Sequence, residues 1–178
     1  IYDVDHEKFV YWWTGVLLPY QYTNSRKELE GYLGEQVVGA LSAIAEKLKE
    51  QKGWEIGVIS SVNLNHATPA AFYAHQASRS SYYEIGLELI DSGFEYFAGG
   101  GLLSPTGKEG DQEDLYALAA KAGYTVAKTH AEADAIGTNT EKAIIIDEDL
   151  ADSDAMAYEL DRTDDMWSLA DYVNCLLY

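Results

Sequence analysis

Apolar positions recur along this chain with two different periods, and the switches between them predict its elements. Ser25 followed by Glu28 has the form of a capping box and predicts a helix start, with breaks at Gly31, Gly34 or Gly39. Leu41, Ile44, Ala45 and Leu48 then recur at helical spacing, and Gly53 supplies a stop. Trp54 to Val62 is a mostly apolar run (Ile56, Val58, Ile59, Val62), which suits a strand covered on both faces. Thr68 and Pro69 have the form of an N-cap and first helical position, with the helix running through Ala70, Phe72 and Ala74. Tyr82, Ile85, Leu89 and Ile90 mark a further helix that stops near Gly93. Phe94 to Ala98 reads as a second strand entering Gly99, Gly100 and Gly101. Asp111 to Ala122 follows as a helix with Leu115, Leu118 and Ala119 inward. Tyr124 to Ala127 is a short strand, Thr129 to Ala135 a short helix, and Lys142 to Ile146 a buried strand. An acidic loop of Asp147, Glu148 and Asp149 comes next, and a last helix holds Met166, Trp167, Leu169, Ala170 and Val173. Strands alternate with helices four times. That pattern predicts an α/β fold, a parallel or mostly parallel sheet flanked by helices, with right-handed crossovers.

Residues 1–24 read differently. They carry Phe9, Tyr11, Trp12, Trp13, Tyr20 and Tyr22 without a clean period. The expectation is an aromatic N-terminal arm over 1–24, as a loop packed on the domain or a patch that meets a partner, and a single α/β domain over 25–178. At 178 residues such a chain buries enough surface to fold without disulfides or a structural metal.

Charge narrows the partners. The net charge of −18 sets a field that repels nucleic acid and anionic lipid; it reads as a solvated acidic surface, with a cation-attracting surface or a salty habitat as the sharper alternative. Neither nucleic acid nor membrane is an expected partner. No apolar run approaches the length that spans a bilayer. The first residues lack the basic flank and apolar core of a signal peptide. A single cysteine, Cys175, leaves the redox compartment unread.

Few patterns carry chemistry. Gly99, Gly100 and Gly101 follow a strand, but their spacing fits neither a dinucleotide fingerprint nor a P-loop, so a tight turn at the sheet edge is expected. No Gly-x-Ser-x-Gly elbow is present, and His6, His66, His75 and His130 are not at zinc spacing. The segment His66-Ala67-Thr68-Pro69-Ala70-Ala71-Phe72-Tyr73-Ala74-His75-Gln76-Ala77-Ser78-Arg79 is the informative one. It follows the C-terminal end of a predicted parallel strand, where open α/β sheets bind ligands. Arg79 could clamp a phosphate in bidentate fashion. The plain alternative is a capped helix with a surface arginine.

This segment resembles the central motif of alkaline phosphatases. The similarity continues through Tyr82-Tyr83-Glu84-Ile85, Phe94-Glu95-Tyr96-Phe97-Ala98-Gly99-Gly100-Gly101, Gly123-Tyr124-Thr125 and Tyr158 to Arg162, covering roughly Leu41 to Asn174. The resemblance implies an alkaline-phosphatase-like partial core. It also implies a phosphate monoester chemistry in which a serine attacks phosphorus beside two zinc ions and one magnesium. By resemblance, Thr68 matches the hydroxyl that ligates magnesium, and Arg79 the arginine that holds the substrate phosphate. His66 sits where the family places an Asp or His beside the magnesium site. A periplasmic or secreted location is likewise implied.

The departures from the family pattern are large. Its Asp-Ser-Ala nucleophile context and its Gly-Asp-Gly ligand context do not occur here. Asp91-Ser92-Gly93 and Asp152-Ser153-Asp154 read as turns, and Asp5-His6-Glu7 as a coincidental copy of a ligand triplet. One unbroken helix from Thr68 to Arg79 would set their Cα atoms about 16 Å apart, so a shared pocket needs a long arginine, a mobile ligand between them, or a break, which Ser78 to Ser81 could supply. The expectation is therefore a phosphatase-like segment that is incomplete and inactive alone and binds neither magnesium nor zinc tightly by itself. It could be a gene fragment, a truncated form or a re-engineered domain. The alternative is a non-catalytic α/β domain that self-associates through its aromatic arm or unpaired strand edges, as a homo-oligomer.

Overall fold

The computed structural model describes residues 2–3, 8–13, 16–19, 44–137, 139–148, 150–151, 155–163 and 166–177. The predicted capping box at Ser25, the glycines up to Gly39, Leu41, Asp5-His6-Glu7 and Asp152-Ser153-Asp154 lie outside the described residues. Within residues 1–24, expected to be a loop or arm, three short strands are present: β1 (Tyr2–Asp3), β2 (Lys8–Trp13) and β3 (Val16–Pro19). They pair antiparallel in the order β1-β2-β3, with Trp13 opposite Val16. The run Phe9–Trp13 has no alternation to reveal a strand, but it is built of aromatic and β-branched residues that favour the extended state.

A four-stranded sheet forms the centre of the remaining described residues. Its strands are β4 (Gly57–Asn63), β5 (Tyr96–Gly100), β6 (Thr125–Ala127) and β7 (Ala143–Asp147), in the order β4-β5-β7-β6. All three pairings are parallel, as the strand–helix alternation predicts. The helices are α1 (Ile44–Lys52), α2 (Ala67–Ala70), α3 (Tyr82–Asp91), α4 (Leu115–Lys121), α5 (His130–Asp134) and α6 (Leu169–Leu177).

Period-two alternation along the central strands sorts the core into two layers. Phe97, Ile144 and Ile146 face α1 to α4, joining Ile85, Leu89, Leu115, Ala119, Leu64 and Tyr73. Tyr96, Ala98, Ala143 and Ile145 face the other way, against Ala133 of α5 and against Trp167 and Tyr172 beside and within α6. Both faces of the two central strands are thus covered, which is why β5 and β7 read as continuous apolar runs rather than alternating ones.

Helix ends follow their caps. Gly53 takes φ +65 and donates to Lys49 O at 2.9 Å, closing α1 where the sequence predicts. Gly93, at φ +62, follows α3 in the same way. Asp114, not Asp111, caps α4, accepting from Tyr116 N at 3.2 Å. Leu115 and Ala119 are buried as expected, while Leu118 is only half-buried. The last helix starts later than predicted because Ser168 and Asp171 form a reciprocal box. Ser168 Oγ accepts from Asp171 N at 3.1 Å, and Asp171 Oδ2 accepts from Ser168 N at 2.8 Å. Met166 and Trp167 therefore precede α6.

Three further expectations are corrected. The first strand begins at Gly57, not Trp54. Asp147 ends β7 instead of opening an acidic loop. Gly99 and Gly100 are not a turn: they lie buried in β5, where β4 changes register between Ile59 and Asn63 and its backbone crowds in. A Cβ at Gly99 would sit 2.9 Å from Ser60 O and 3.0 Å from Val62 O. Gly99 and Gly100 therefore mark a close backbone approach rather than a loop, whereas a Cβ at Gly101 would meet only side chains.

Candidate functional site

The site is built outward from the C-terminal end of β4. Its strand stops in a turn closed by His66 N donating to Asn63 O at 3.0 Å. Asn65, fully buried, pins that turn. Its Oδ1 accepts from Leu103 N at 2.8 Å, and its Nδ2 donates to Leu103 O and Tyr82 O, both at 2.9 Å. Tyr73 OH donates to Leu64 O at 2.6 Å from beneath. Burial pushes the Tyr73 phenol far above its ordinary pKa, aided by the Glu88 charge, so it stays a donor.

The helix that follows is shorter than the sequence predicts. His66, not Thr68, is the residue flanking its start, with φ −69 and ψ 153, and α2 ends at Ala70. Phe72 and Ala74 lie beyond it in turns. The chain then corners where Glu88 of α3 receives both His75 N and, at 2.6 Å, Gln76 Nε2. His75 Nε2 also lies 3.1 Å from Glu46 Oε2 of α1. Ser81 N donates to Ser78 O at 3.2 Å, making a second turn at the predicted break. Two reversals replace one rigid helix, and they return Arg79 to the start of the segment.

Arg79 Nη2 and His66 Nε2 meet at 3.0 Å. A guanidinium only donates, so Nε2 accepts and the imidazole carries its proton on Nδ1. Thr68 is exposed on α2, and no hydrogen bond joins it to His66 or Arg79 among the described residues. The structure therefore brings two of the three sequence-derived residues into contact and leaves the third nearby on the same short helix.

These residues do not fit a divalent metal by themselves. Magnesium takes oxygen ligands, carboxylates above all. Here the donor set is one neutral hydroxyl and an imidazole whose Nε2 lone pair already meets a cation. No group of three or more His, Cys, Asp or Glu is placed to hold a metal among the described residues. Two cavities among the described residues lie elsewhere. One of about 820 Å³ is lined by Glu55, Glu95, Asp134, Glu141, Asn174 and Cys175 among others. Another, of about 860 Å³, is lined by Ser61, Met156, Arg162 and Trp167 among others. Neither includes His66, Thr68 or Arg79.

Sequence reasoning missed the residues that build the site. Asn65, Glu88 and Tyr73 set the turn and the corner. The available signal was polar side chains (Asn63, Asn65) at the end of an apolar strand, where a buried amide needs backbone partners.

A parallel four-stranded α/β sheet flanked by helices defines the class. Its family resemblance is specific. Residues 36–95 match the alkaline phosphatase family. The fold matches alkaline phosphatase from Thermus thermophilus at TM-score 0.64 and 28% identity, over 77% of this chain and 28% of that one. It matches alkaline phosphatase from the Antarctic bacterium TAB5 at TM-score 0.63 and 23% identity, over 79% of this chain and 39% of that one. It also matches the cold-active alkaline phosphatase of Shewanella sp. at TM-score 0.54 and 25% identity, over 70% of this chain and 28% of that one. No curated protein matches in sequence. The chain thus resembles alkaline phosphatases over most of its length while spanning between 28% and 39% of these solved relatives.

Proposed function

We propose that this chain supplies the phosphate-holding part of an alkaline-phosphatase-like, metal-dependent phosphomonoester hydrolase, and that it is inactive as an isolated chain. The observation that carries this reading is the return of Arg79 to His66 at the C-terminal end of β4, with Arg79 still exposed. A guanidinium has five donors, so one contact to His66 is compatible with a bidentate phosphate. The chain's residues would orient the phosphate and neutralise its charge. Magnesium belongs to the reading through a solved relative, and zinc through the family resemblance alone. One structure of the TAB5 enzyme, a mutant with one histidine replaced by aspartate, has magnesium bound in its M3 site. The donor set around His66 and Thr68 supports no tight metal site in this chain alone, so no step is assigned to a metal here. The groups of a catalytic constellation act as a unit, and losing the nucleophile and ligands removes most of the acceleration.

Inorganic phosphate binding, measured by 31P NMR titration, tests the reading. Arg79→Ala should weaken it at least about tenfold, because a charge-assisted contact is worth about 1.5–3 kcal/mol. Arg79→Lys should recover only part, since a point charge cannot reproduce the fork. Affinity unchanged in Arg79→Ala would overturn the assignment. Hydrolysis of a chromogenic phosphate monoester at alkaline pH with zinc and magnesium should be absent. Turnover that disappears in Arg79→Ala would show a complete site instead.

Self-association is the second reading, and the β4 edge favours it. Tyr96 N donates to Ile56 O on the β5 side, whereas Met156 N donates to Ser61 O. The alternation then turns the backbone groups of Gly57 and Ile59 away from β5, along a strand with no charged residue. Such an edge is a template for pairing.

A further inference from the structure

We propose that an internal water joins His66 to Asn63, and that Asn63 thereby acts as a positioning residue for His66 and, through it, for Arg79; this rests on the phosphate reading of Arg79. Among the described residues, two buried side-chain atoms have no partner, Asn63 Oδ1 and His66 Nδ1. They lie at the two ends of one turn, closed by His66 N to Asn63 O at 3.0 Å. A closed turn of this kind holds its end Cα atoms within about 7 Å.

Their polarities are opposite, and both are fixed by neighbours. Asn63 Nδ2 donates to Gly101 O at 2.7 Å, so the amide is oriented and its other end is an acceptor. His66 Nε2 faces the Arg79 guanidinium, so Nδ1 carries the proton and is a donor. Asn63 is only 7% exposed, and bulk water does not serve it. A donor and an acceptor, both buried, both unpaired and not bonded to each other, are what one enclosed water satisfies. The water accepts from His66 Nδ1 and donates to Asn63 Oδ1.

The consequence falls on Arg79. A histidine's free nitrogen is set by the hydrogen bond that the other nitrogen makes. With Nδ1–H held by the water, Nε2 presents its lone pair to Arg79. Without the acceptor at Asn63, the ring gains by rotating Nδ1 toward other partners, and the guanidinium loses its rest.

The test compares two variants of the full chain near pH 8, with inorganic phosphate as probe. Asn63→Ala and Asn63→Asp both lose the donor to Gly101, but only Asn63→Ala loses the acceptor. In the wild-type chain, the His66 Hδ1 resonance should show cross-relaxation with a long-lived water. Asn63→Asp should keep that signal and hold phosphate affinity within about twofold, whereas Asn63→Ala should lose both, with about a tenfold rise in Kd. No water signal in the wild type overturns the proposal, as does equal behaviour of the two variants. If Asn63→Ala fails to fold, the wild-type spectrum alone decides. Should Arg79→Ala leave phosphate affinity unchanged, the phosphate reading fails while the water signal still judges the link to Asn63.

Discussion

Gly99→Ala tests whether the backbone crowding at β5 shapes the site. An added Cβ would lie 2.9 Å from Ser60 O, 3.0 Å from Val62 O and 3.1 Å from Leu64 Cδ2. Two of those three atoms are backbone of β4, where its register shifts against β5, and they have no rotamer in which to retreat. Relief requires moving the end of β4 by a few tenths of an ångström, and that end leads directly into the turn holding His66. Overpacking of this kind costs about 2 kcal/mol, within a usual range of about 1–3 kcal/mol. For a chain of 178 residues, unfolding entropy near the midpoint is about 0.4 kcal/mol/K, so Tm should fall by about 5 °C. Phosphate affinity should fall with it. Gly137→Ala is the control: nothing lies within 4 Å of its Cβ, and the residue is exposed. It should leave Tm unchanged or slightly raised, because alanine narrows the unfolded ensemble. Calorimetry reads both. A Gly99→Ala chain with the wild-type Tm would refute the claim that these glycines exist for close approach.

Other consequences follow from the same structure. Tyr73→Phe removes a buried donor to Leu64 O and should lower stability by about 1–2 kcal/mol in a urea titration. Acid sensitivity has a definite sign. Desolvation pushes the Glu95 carboxyl up, but the Lys49 ammonium and the Ile56 N–H outweigh it and hold its pKa below the ordinary value. For Asp171, desolvation is likewise outweighed by the Ser168 hydroxyl and N–H, with His130 and Arg162 adding to them. Groups depressed in the fold stabilise above their unfolded pKa and lose that contribution as pH falls through the folded value, so the loss should begin at about pH 5 and grow on further acidification. Glu95→Gln should be less stable than wild type at pH 7, and the gap should close on acidification. Light scattering across concentrations should show a mass above the monomer, reduced in Trp12→Ala/Trp13→Ala if the aromatic strand carries the association; a monomer throughout would refute self-association.

Much of the fold is legible in local sequence. The apolar runs at Tyr96–Ala98 and Ala143–Ile146 state that these strands are buried on both faces, and burial on both faces with intervening helices leaves a parallel sheet as the solution. Gly53 and Gly93 mark stops because αL backbone is nearly free only for glycine. Arg79, His66 and Thr68 are also legible, as a resemblance. What the sequence does not state is which of them meet. Helical spacing across Thr68 to Arg79 looks continuous, yet α2 ends after one turn, because Glu88 captures His75 N and Gln76 Nε2 and Tyr73 reaches back to Leu64 O. Those partners are up to thirteen residues away along the chain and are chosen by the packing of α3. Gly99, Gly100 and Gly101 read as a turn for the same reason: a glycine's role depends on what stands where its Cβ would be. Local pattern determined the elements and their order; tertiary contact decided where the backbone reverses, and so which side chains share a site.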